Sequence, residues 1–289
     1  MKFQLIYFTG TGNTKRVLDI AKDTLLKQGH IVNEYDVSKD DIVCLSETDA
    51  IIIFYPIYAF NAPKLLINYV KKIDKSVNKI PCIIMKQSGE YLFFNRASSI
   101  YLTRLLKRRN IVVTNEYHYL MPYSFIFRHS DYMAYRMYST MENLVPIDLE
   151  HFLNHEEAHI DRFFLSGLFA FIFRIQWLGG KLNGIFYKVD KEKCIGCNKC
   201  IDNCPNHNIT FKDGEYKFNF SCLMCQRCVM YCPTHAIKPG FFNGWRVDKP
   251  YTFNDAPYQE EIKPNFCKKS YQKYFIKAEN EINNHNKCL

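Results

Sequence analysis

Eight of the twelve cysteines fall in two runs of one form. Cys194, Cys197, Cys200 and Cys204 precede Pro205, and Cys222, Cys225, Cys228 and Cys232 precede Pro233; each run reads C-x2-C-x2-C-x3-C-P. Three thiolates at two-residue gaps can turn inward from one tight loop onto one metal cluster. The fourth, beyond a break, points the other way and reaches a neighbouring cluster. The spacing therefore assigns Cys194, Cys197, Cys200 and Cys232 to one 4Fe–4S cluster, and Cys222, Cys225, Cys228 and Cys204 to a second. Zinc also takes C-x2-C pairs, but two evenly spaced triplets, each ending in C-P, suit a tetrahedral ion poorly. The run is too dense for unstrained disulfides. The two runs repeat at a spacing of 28 residues, and Pro205-Asn206-His207-Asn208-Ile209 matches Pro233-Thr234-His235-Ala236-Ile237, which marks an internal duplication. His207 and His235 follow complete ligand sets and read as hydrogen-bonding or surface groups.

A second candidate site opens the chain. Lys2 to Phe8 reads as a buried strand. Thr9-Gly10-Thr11-Gly12-Asn13-Thr14 reads as a polar turn, and the residues to about Lys27 as a helix with Val17, Leu18, Ile20, Ala21, Leu25 and Leu26 apolar. Such an arrangement binds phosphate, because backbone N–H groups are exposed at the turn and the helix N-terminus favours an anion. The hydroxyls of Thr9, Thr11 and Thr14 can add donors. Gly10 and Gly12 do not fit G-x4-G-K-S/T, and Lys15 stands where a dinucleotide fingerprint needs its third glycine. The turn offers a single phosphate nest.

Alternating elements continue to about residue 119. Strands are expected at Ile31–Asp36, Ala50–Tyr55, Pro81–Lys86 and Ile111–Tyr119, and helices at Lys64–Lys72 and Ser98–Arg109. This alternation predicts an α/β fold with a doubly wound parallel sheet, whose ligands bind at the carboxyl ends of the strands. Short strands at Tyr187–Val189 and Ile209–Phe211, a hairpin turn at Asp213-Gly214 and a return over Tyr216–Phe220 predict a small α+β unit around the cysteines.

The T-G-T-G-N-T string resembles the phosphate loop of flavodoxins. The whole pattern resembles the two-domain flavodoxin–ferredoxin family, with a flavodoxin-like domain followed by a bacterial-type two-cluster ferredoxin domain. The resemblance covers residues 1–125 and 186–240, including Glu116 to Tyr123 where the last sheet strand exits. It implies FMN, two 4Fe–4S clusters and electron transfer. FMN phosphate falls to Thr9, Gly10, Thr11, Gly12, Asn13 and Thr14. Two further loops, Pro56–Pro63 and Gln87–Asn95, leave the carboxyl ends of strands and carry aromatics beside small residues. Tyr58, Phe60, Ser88, Gly89 and Tyr91 are the expected contacts of the flavin ring.

The expected division is a flavodoxin-like FMN domain at 1–125, a helical apolar connector at 126–185, a two-cluster ferredoxin domain at 186–245 and a polar C-terminal tail at 246–289. In the connector, Ile147 to Phe164 reads as a helix. His151, His155 and His159 would share one of its faces; polar helix-face histidines are the ordinary reading and a metal site the sharper one. Phe163 to Leu178 is strongly apolar. It reads either as a brace between domains or as an amphipathic helix for a membrane surface or a partner. Cys44, Cys82, Cys267 and Cys288 have no ligand spacing and read as inert thiols.

The chain has 289 residues and a net charge of +9. Two oxidised clusters and a flavin phosphate would each bring about −2, leaving the loaded protein near about +3. The basic residues are scattered; Lys107-Arg108-Arg109 is the longest run and reads as a solvated helix end, so no nucleic-acid partner is expected. Twelve cysteines without a secretory start point to metal binding in the reducing cytoplasm. No apolar run reaches the roughly 18 residues of a spanning helix. No Ser-His-Asp set, paired-carboxylate motif or HExxH suggests hydrolysis, and no catalytic residue is assigned. The leading expectation is electron transfer between FMN and the clusters, with a redox protein as donor or acceptor. An FMN-dependent reductase of a small substrate and a flavin-free Fe–S sensor are the alternatives.

Overall fold

The structure, a computed structural model, describes residues 1–39, 41–253 and 267–288. Strands β1 (Lys2–Tyr7), β2 (Ile31–Asp36), β3 (Ala50–Pro56), β4 (Ile80–Ser88) and β5 (Ile111–Leu120) form one parallel sheet in the order β2-β1-β3-β4-β5. Every residue of β3 is buried, as a strand covered on both faces requires. Helices α1 (Asn13–Lys27), α2 (Lys64–Lys72) and α3 (Ile100–Lys107) make the connections. Helix α1 packs on one face with Val17, Leu18, Ala21 and Leu25. Helices α2 and α3 pack on the other through Leu66, Ile67, Val70, Leu102, Leu105 and Leu106. The strand order reverses between β1 and β3, which opens a crevice at their carboxyl ends.

The next helix, α4 (Asp131–Leu153), begins well before the expected Ile147. Ser130 caps it, accepting from the Met133 N–H at 3.2 Å. Met133, Met137, Met141, Leu144 and Val145 recur at three- and four-residue intervals and are buried beside α1. Pro146 lies inside the helix, where tertiary packing outweighs its usual place at a helix start. The helix stops at Leu153, and His155 takes a left-handed φ of 61°. Only His151 is therefore helical, and the three histidines do not share a face. His151 lies 3.9 Å from Glu156, and His159 lies 3.0 Å from Glu157.

Residues 158–162 fasten the connector to the sheet edge. Asn115 bridges to Ala158 as in a parallel strand. Arg162 donates to Glu116 Oε2 at 2.6 Å and also to the Arg96 carbonyl. The buried Lys86 donates to Glu116 Oε1 at 2.6 Å and to the Asn95 carbonyl at 3.0 Å. Burial pushes the Glu116 carboxyl up, but Lys86 and Arg162 more than offset it and hold it below its usual range.

Helices α5 (Ser166–Phe173) and α6 (Gln176–Gly184) follow. The cysteine region comprises β6 (Lys188–Val189), α7 (Lys199–Asp202), β7 (Ile209–Lys212), β8 (Glu215–Phe218), α8 (Arg227–Met230) and β9 (Ile237–Lys238). β6 pairs with β9 and β7 with β8, both antiparallel. Asp213 and Gly214 both have positive φ, 55° and 75°, which matches the twist of a two-residue hairpin turn. Much of the expected polar tail is a helix, α9 (Lys268–Cys288), which buries Tyr271, Tyr274, Phe275 and Ala278 in the core that α4 also lines. Residues 254–266 and Leu289 of that tail, and the side chain of Cys288, lie outside the described residues.

Candidate functional site

The loop after β1 is shaped by Gly12. Its φ of +97° lies in the left-handed region that strains any L side chain. Its N–H donates to Thr9 Oγ1 at 3.0 Å, which tightens the turn. The loop is tied to its neighbours: Asn13 donates to the Pro122 carbonyl at 2.7 Å, Gln87 donates to Thr14 Oγ1 at 3.1 Å, and Thr11 and Ser124 share a hydroxyl hydrogen bond. The loops after β1, β3, β4 and β5 thus converge on a cavity of about 680 Å³.

Thr9, Gly10, Thr11, Asn13, Tyr58, Phe60, Ser88 and Gly89 line that cavity. Gly12 and Thr14 are not among its lining residues; one sets the turn and the other faces Gln87. Tyr91 is elsewhere. Glu90 and Leu92 line the cavity, and the side chain between them turns the other way, as neighbours along an extended chain do. The Tyr91 ring stacks on His118 and packs against Tyr274 of α9, both at 5.2 Å between centroids. Phe60 shares its ring with the connector, meeting Phe169 at 5.3 Å and Phe173 at 4.9 Å.

Three further lining residues, Glu90, Asn95 and Tyr123, are not among the expected contacts, although the expected loop Gln87–Asn95 and the stretch Glu116–Tyr123 contain them. Asn95 Nδ2 donates to Glu90 Oε1 at 3.1 Å and to Ser88 Oγ at 3.2 Å. Burial pushes the Glu90 carboxyl up, against hydrogen bonds from Tyr123 and Asn95. Asn95 Oδ1 is buried with no protein partner among the described residues. A mononucleotide with a flat ring fits this donor set: a phosphate-type turn, a large apolar chamber and a few convergent polar groups.

The two cysteine runs are folded alike. Gly196 and Met224, Asn198 and Gln226, and His207 and His235 are pairs of left-handed residues, with φ of 69° and 51°, 56° and 60°, and 46° and 52°. These matched turns curl each triplet of cysteines inward. Cys204 Sγ accepts from the Asn208 N–H at 3.2 Å, and Cys232 Sγ from the Ala236 N–H at 3.3 Å, again in register. Cys204, Cys222, Cys225 and Cys228 line one small cavity, and Cys194, Cys197, Cys200 and Cys232 line another. Neither His207 nor His235 lines either one. Burial pushes the Cys222 thiol up to about 12 and the Cys200 thiol up to about 11, and raises Cys225 and Cys228 as well. Thiols held this way ionise only beside a strong cation, which iron would supply.

The two sites share a wall. Cys225 lines both its own small cavity and the large one, with Leu223, Met224 and Gln226 beside it. Gly10 permits the approach: a Cβ there would meet the Cys225 carbonyl oxygen at 2.5 Å and Tyr58 Oη at 2.7 Å. Arg227 spans the joint, donating to the Thr9 carbonyl at 2.5 Å, the Gly10 carbonyl at 3.4 Å and the Asn203 carbonyl at 3.3 Å. Helix α6 closes the side with Gly180 and Asn183, and a Cβ on its Gly184 would run into the Cys222 side chain. Asn183 accepts from the Phe241 N–H at 2.9 Å and donates to the Pro239 carbonyl at 3.3 Å, fastening the chain after β9.

Family models match both parts: a flavodoxin domain over residues 4–90 and a 4Fe-4S dicluster domain over residues 193–236. This is the two-domain flavodoxin–ferredoxin arrangement. No curated protein matches the chain. Among solved structures, the flavodoxin of Streptococcus pneumoniae TIGR4 is similar at 15% identity, covering 52% of this chain and 98% of that one, with a TM-score of 0.39. Flavodoxin 1 of Bacillus cereus is 13% identical over 52% of this chain and 99% of its own, with a TM-score of 0.39. A mutant flavodoxin of Fusobacterium nucleatum bound to flavin mononucleotide is 17% identical over 43% and 68%, with a TM-score of 0.32. A flavodoxin domain implies FMN and a dicluster domain implies iron–sulfur, which together support an electron-transfer role. No helix among the described residues is long and apolar enough to cross a membrane.

Proposed function

We propose that this flavodoxin–ferredoxin protein passes electrons between an FMN in the large cavity and two 4Fe–4S clusters in the cysteine cavities. Cys204, Cys222, Cys225 and Cys228 hold the cluster nearer the flavin, and Cys194, Cys197, Cys200 and Cys232 the farther one. The observation that carries this reading is Cys225, which belongs to both walls. When bound, FMN can take two electrons in single steps while each cluster carries one, so the pair joins one-electron to two-electron chemistry. The chain's own residues set position and environment. Thr9 to Asn13 hold the phosphate, Tyr58 and Phe60 flank the ring, and Arg227 keeps the cluster loop against the phosphate loop. The N–H groups of Asn208 and Ala236 donate to cysteine sulfur and so tune the clusters' potentials.

A second reading rests on Glu90. A buried carboxyl raised by its surroundings, hydrogen-bonded to Tyr123 in the same wall, can hold a proton there. Reduction of a small substrate consumes protons, whereas simple relay does not. The cavity therefore also suits an FMN-dependent reductase fed by the clusters.

Anaerobic protein reconstituted with iron and sulfide tests the assignment. About eight irons and eight sulfides per chain, with stoichiometric flavin, are expected. Cys225→Ser should lose one cluster and alter the flavin absorption bands, while Cys197→Ser should lose the other and leave them unchanged. Stoichiometric zinc, or equal flavin responses in the two variants, would overturn it.

A further inference from the structure

The connector helices pack Phe169, Phe173 and Trp177 inward as a brace would, but carry a second apolar face that nothing among the described residues covers. Leu168, Phe171, Ile175, Leu178, Leu182 and Ile185 recur at three- and four-residue intervals, and their exposures run from 44% to 72%. The side turned to the protein buries Ser166, Ala170, Gly180, Asn183 and Gly184, and packs Phe169, Phe173 and Trp177 partly against its neighbours. The Ala170 carbonyl accepts from Asn61 at 3.1 Å, so this face is docked against the protein. Helices α5 and α6 therefore seat themselves through one face and leave the large apolar residues of the other exposed. Exposed apolar surface on this scale marks an interaction site.

The charges beside the stripe have one sign. Between Phe163 and Val189 the chain has no Asp or Glu, and its ionised residues are Arg174, Lys181 and Lys188. Cations from neighbouring elements join them. Arg104 lies 3.5 Å from where a Cβ on Gly167 would sit. Lys64 lies over the Trp177 ring at 5.9 Å, Arg174 over Tyr101 at 4.1 Å, and Lys181 over Phe220 at 5.4 Å. Lys64 is held below its usual value by burial and by Lys181 and Lys71, so these cations repel one another. Among the described residues, no ion pair joins Lys64, Arg104, Arg174 or Lys181 to an acidic side chain.

We propose that the exposed stripe of α5 and α6 is a membrane-surface contact, lying in the interface of an anionic lipid bilayer with its cations against the headgroups. An apolar stripe flanked by Lys and Arg has the pattern of an interfacial helix, its side chains entering the acyl boundary while the charges stay in the headgroup layer. A second copy of the chain is a poorer occupant. A twofold contact would bring this stripe and its cations against the same stripe and cations, and the stripe has no acid to pair them. Leu182 belongs both to the stripe and to the wall of the large cavity, which the exposed Phe241 and Trp245 also line. Lipid contact would therefore set that cavity next to the bilayer.

Flotation of the cofactor-loaded full chain with phosphatidylcholine vesicles, with and without phosphatidylglycerol, tests the proposal. Binding is expected with phosphatidylglycerol, at least about tenfold weaker without it, and weakened by salt. Phe171→Ser/Ile175→Ser/Leu178→Ser should bind at least about tenfold more weakly at unchanged flavin and iron content. Lys181→Gln/Lys188→Gln should lose about fivefold per charge. Three results would overturn the proposal: no vesicle binding by the unaltered chain, equal binding by the stripe variant, or a dimer that the stripe variant converts to monomer while lipid has no effect.

Discussion

The guanidinium of Arg227 donates to the backbone carbonyl of Thr9 at 2.5 Å, across 218 positions of sequence. One residue is the neighbour of Cys228, a proposed cluster ligand; the other opens the turn proposed to hold the phosphate. A charged donor to a carbonyl contributes about 1.5–3 kcal/mol. Arg227→Met keeps much of the side-chain volume and removes the donors. Its flavin dissociation constant should rise about tenfold while iron content stays the same, and Arg227→Lys should fall between. Flavin titration of the three proteins measures this; unchanged affinity in Arg227→Met would show that the joint does not depend on the guanidinium.

Gly10 tests the same joint by steric means. Its substitution by Ala places a methyl group 2.5 Å from the Cys225 carbonyl oxygen, where backbone must shift. Gly10→Ala should therefore slow electron exchange between flavin and clusters by tenfold or more, on the order of 1.4 kcal/mol in the barrier. Flavin photoreduction followed at the cluster bands gives the rate.

Gly12 separates phosphate binding from that contact. Its φ of +97° and its place at the turn make Gly12→Asp both strained and electrostatically opposed to a phosphate. Flavin should be lost from the purified variant while iron and sulfide are retained. Retained flavin would remove the loop from the phosphate site.

Much of this fold is legible in the sequence because its signals are local. The bounds of β2 and α2 are those expected, α2 through its apolar face, and the hairpin follows from Asp213-Gly214. The start of α4 is not legible locally because Pro146 resembles a helix start, and packing against α1 carries the helix through it. Tyr91 lies away from the cavity, and an aromatic in a carboxyl-end loop has no local mark of which side it faces. Arg227 and Gly10 could not be paired from sequence, since their roles arise where two distant loops meet.

His129 predicts a pH dependence of stability. It is buried; Nδ1 accepts from the Tyr123 N–H at 3.2 Å, and Nε2 lies 2.9 Å from Tyr271 Oη. Burial lowers its pKa to about 4, against about 6.5 for a free imidazole. The unfolded chain therefore takes up the proton first. The stability tied to neutral His129 is fully present above about pH 6.5 and is lost as pH falls to about 4, on the order of 3 kcal/mol at most. Denaturant midpoints across that window should fall with pH, and His129→Gln should flatten the slope by about one proton. An unchanged slope in that variant would assign the titration to other groups.

The central claim is that flavin and clusters exchange electrons inside one chain, across the wall that Cys225 and Gly10 share. Stopped-flow reduction of the clusters, followed at the flavin bands over a wide range of protein concentration, tests it most directly. A fixed joint predicts one rate constant that does not change with concentration, and a slower constant in Gly10→Ala. A rate that rises in proportion to protein concentration would mean collisions between molecules and would contradict the account.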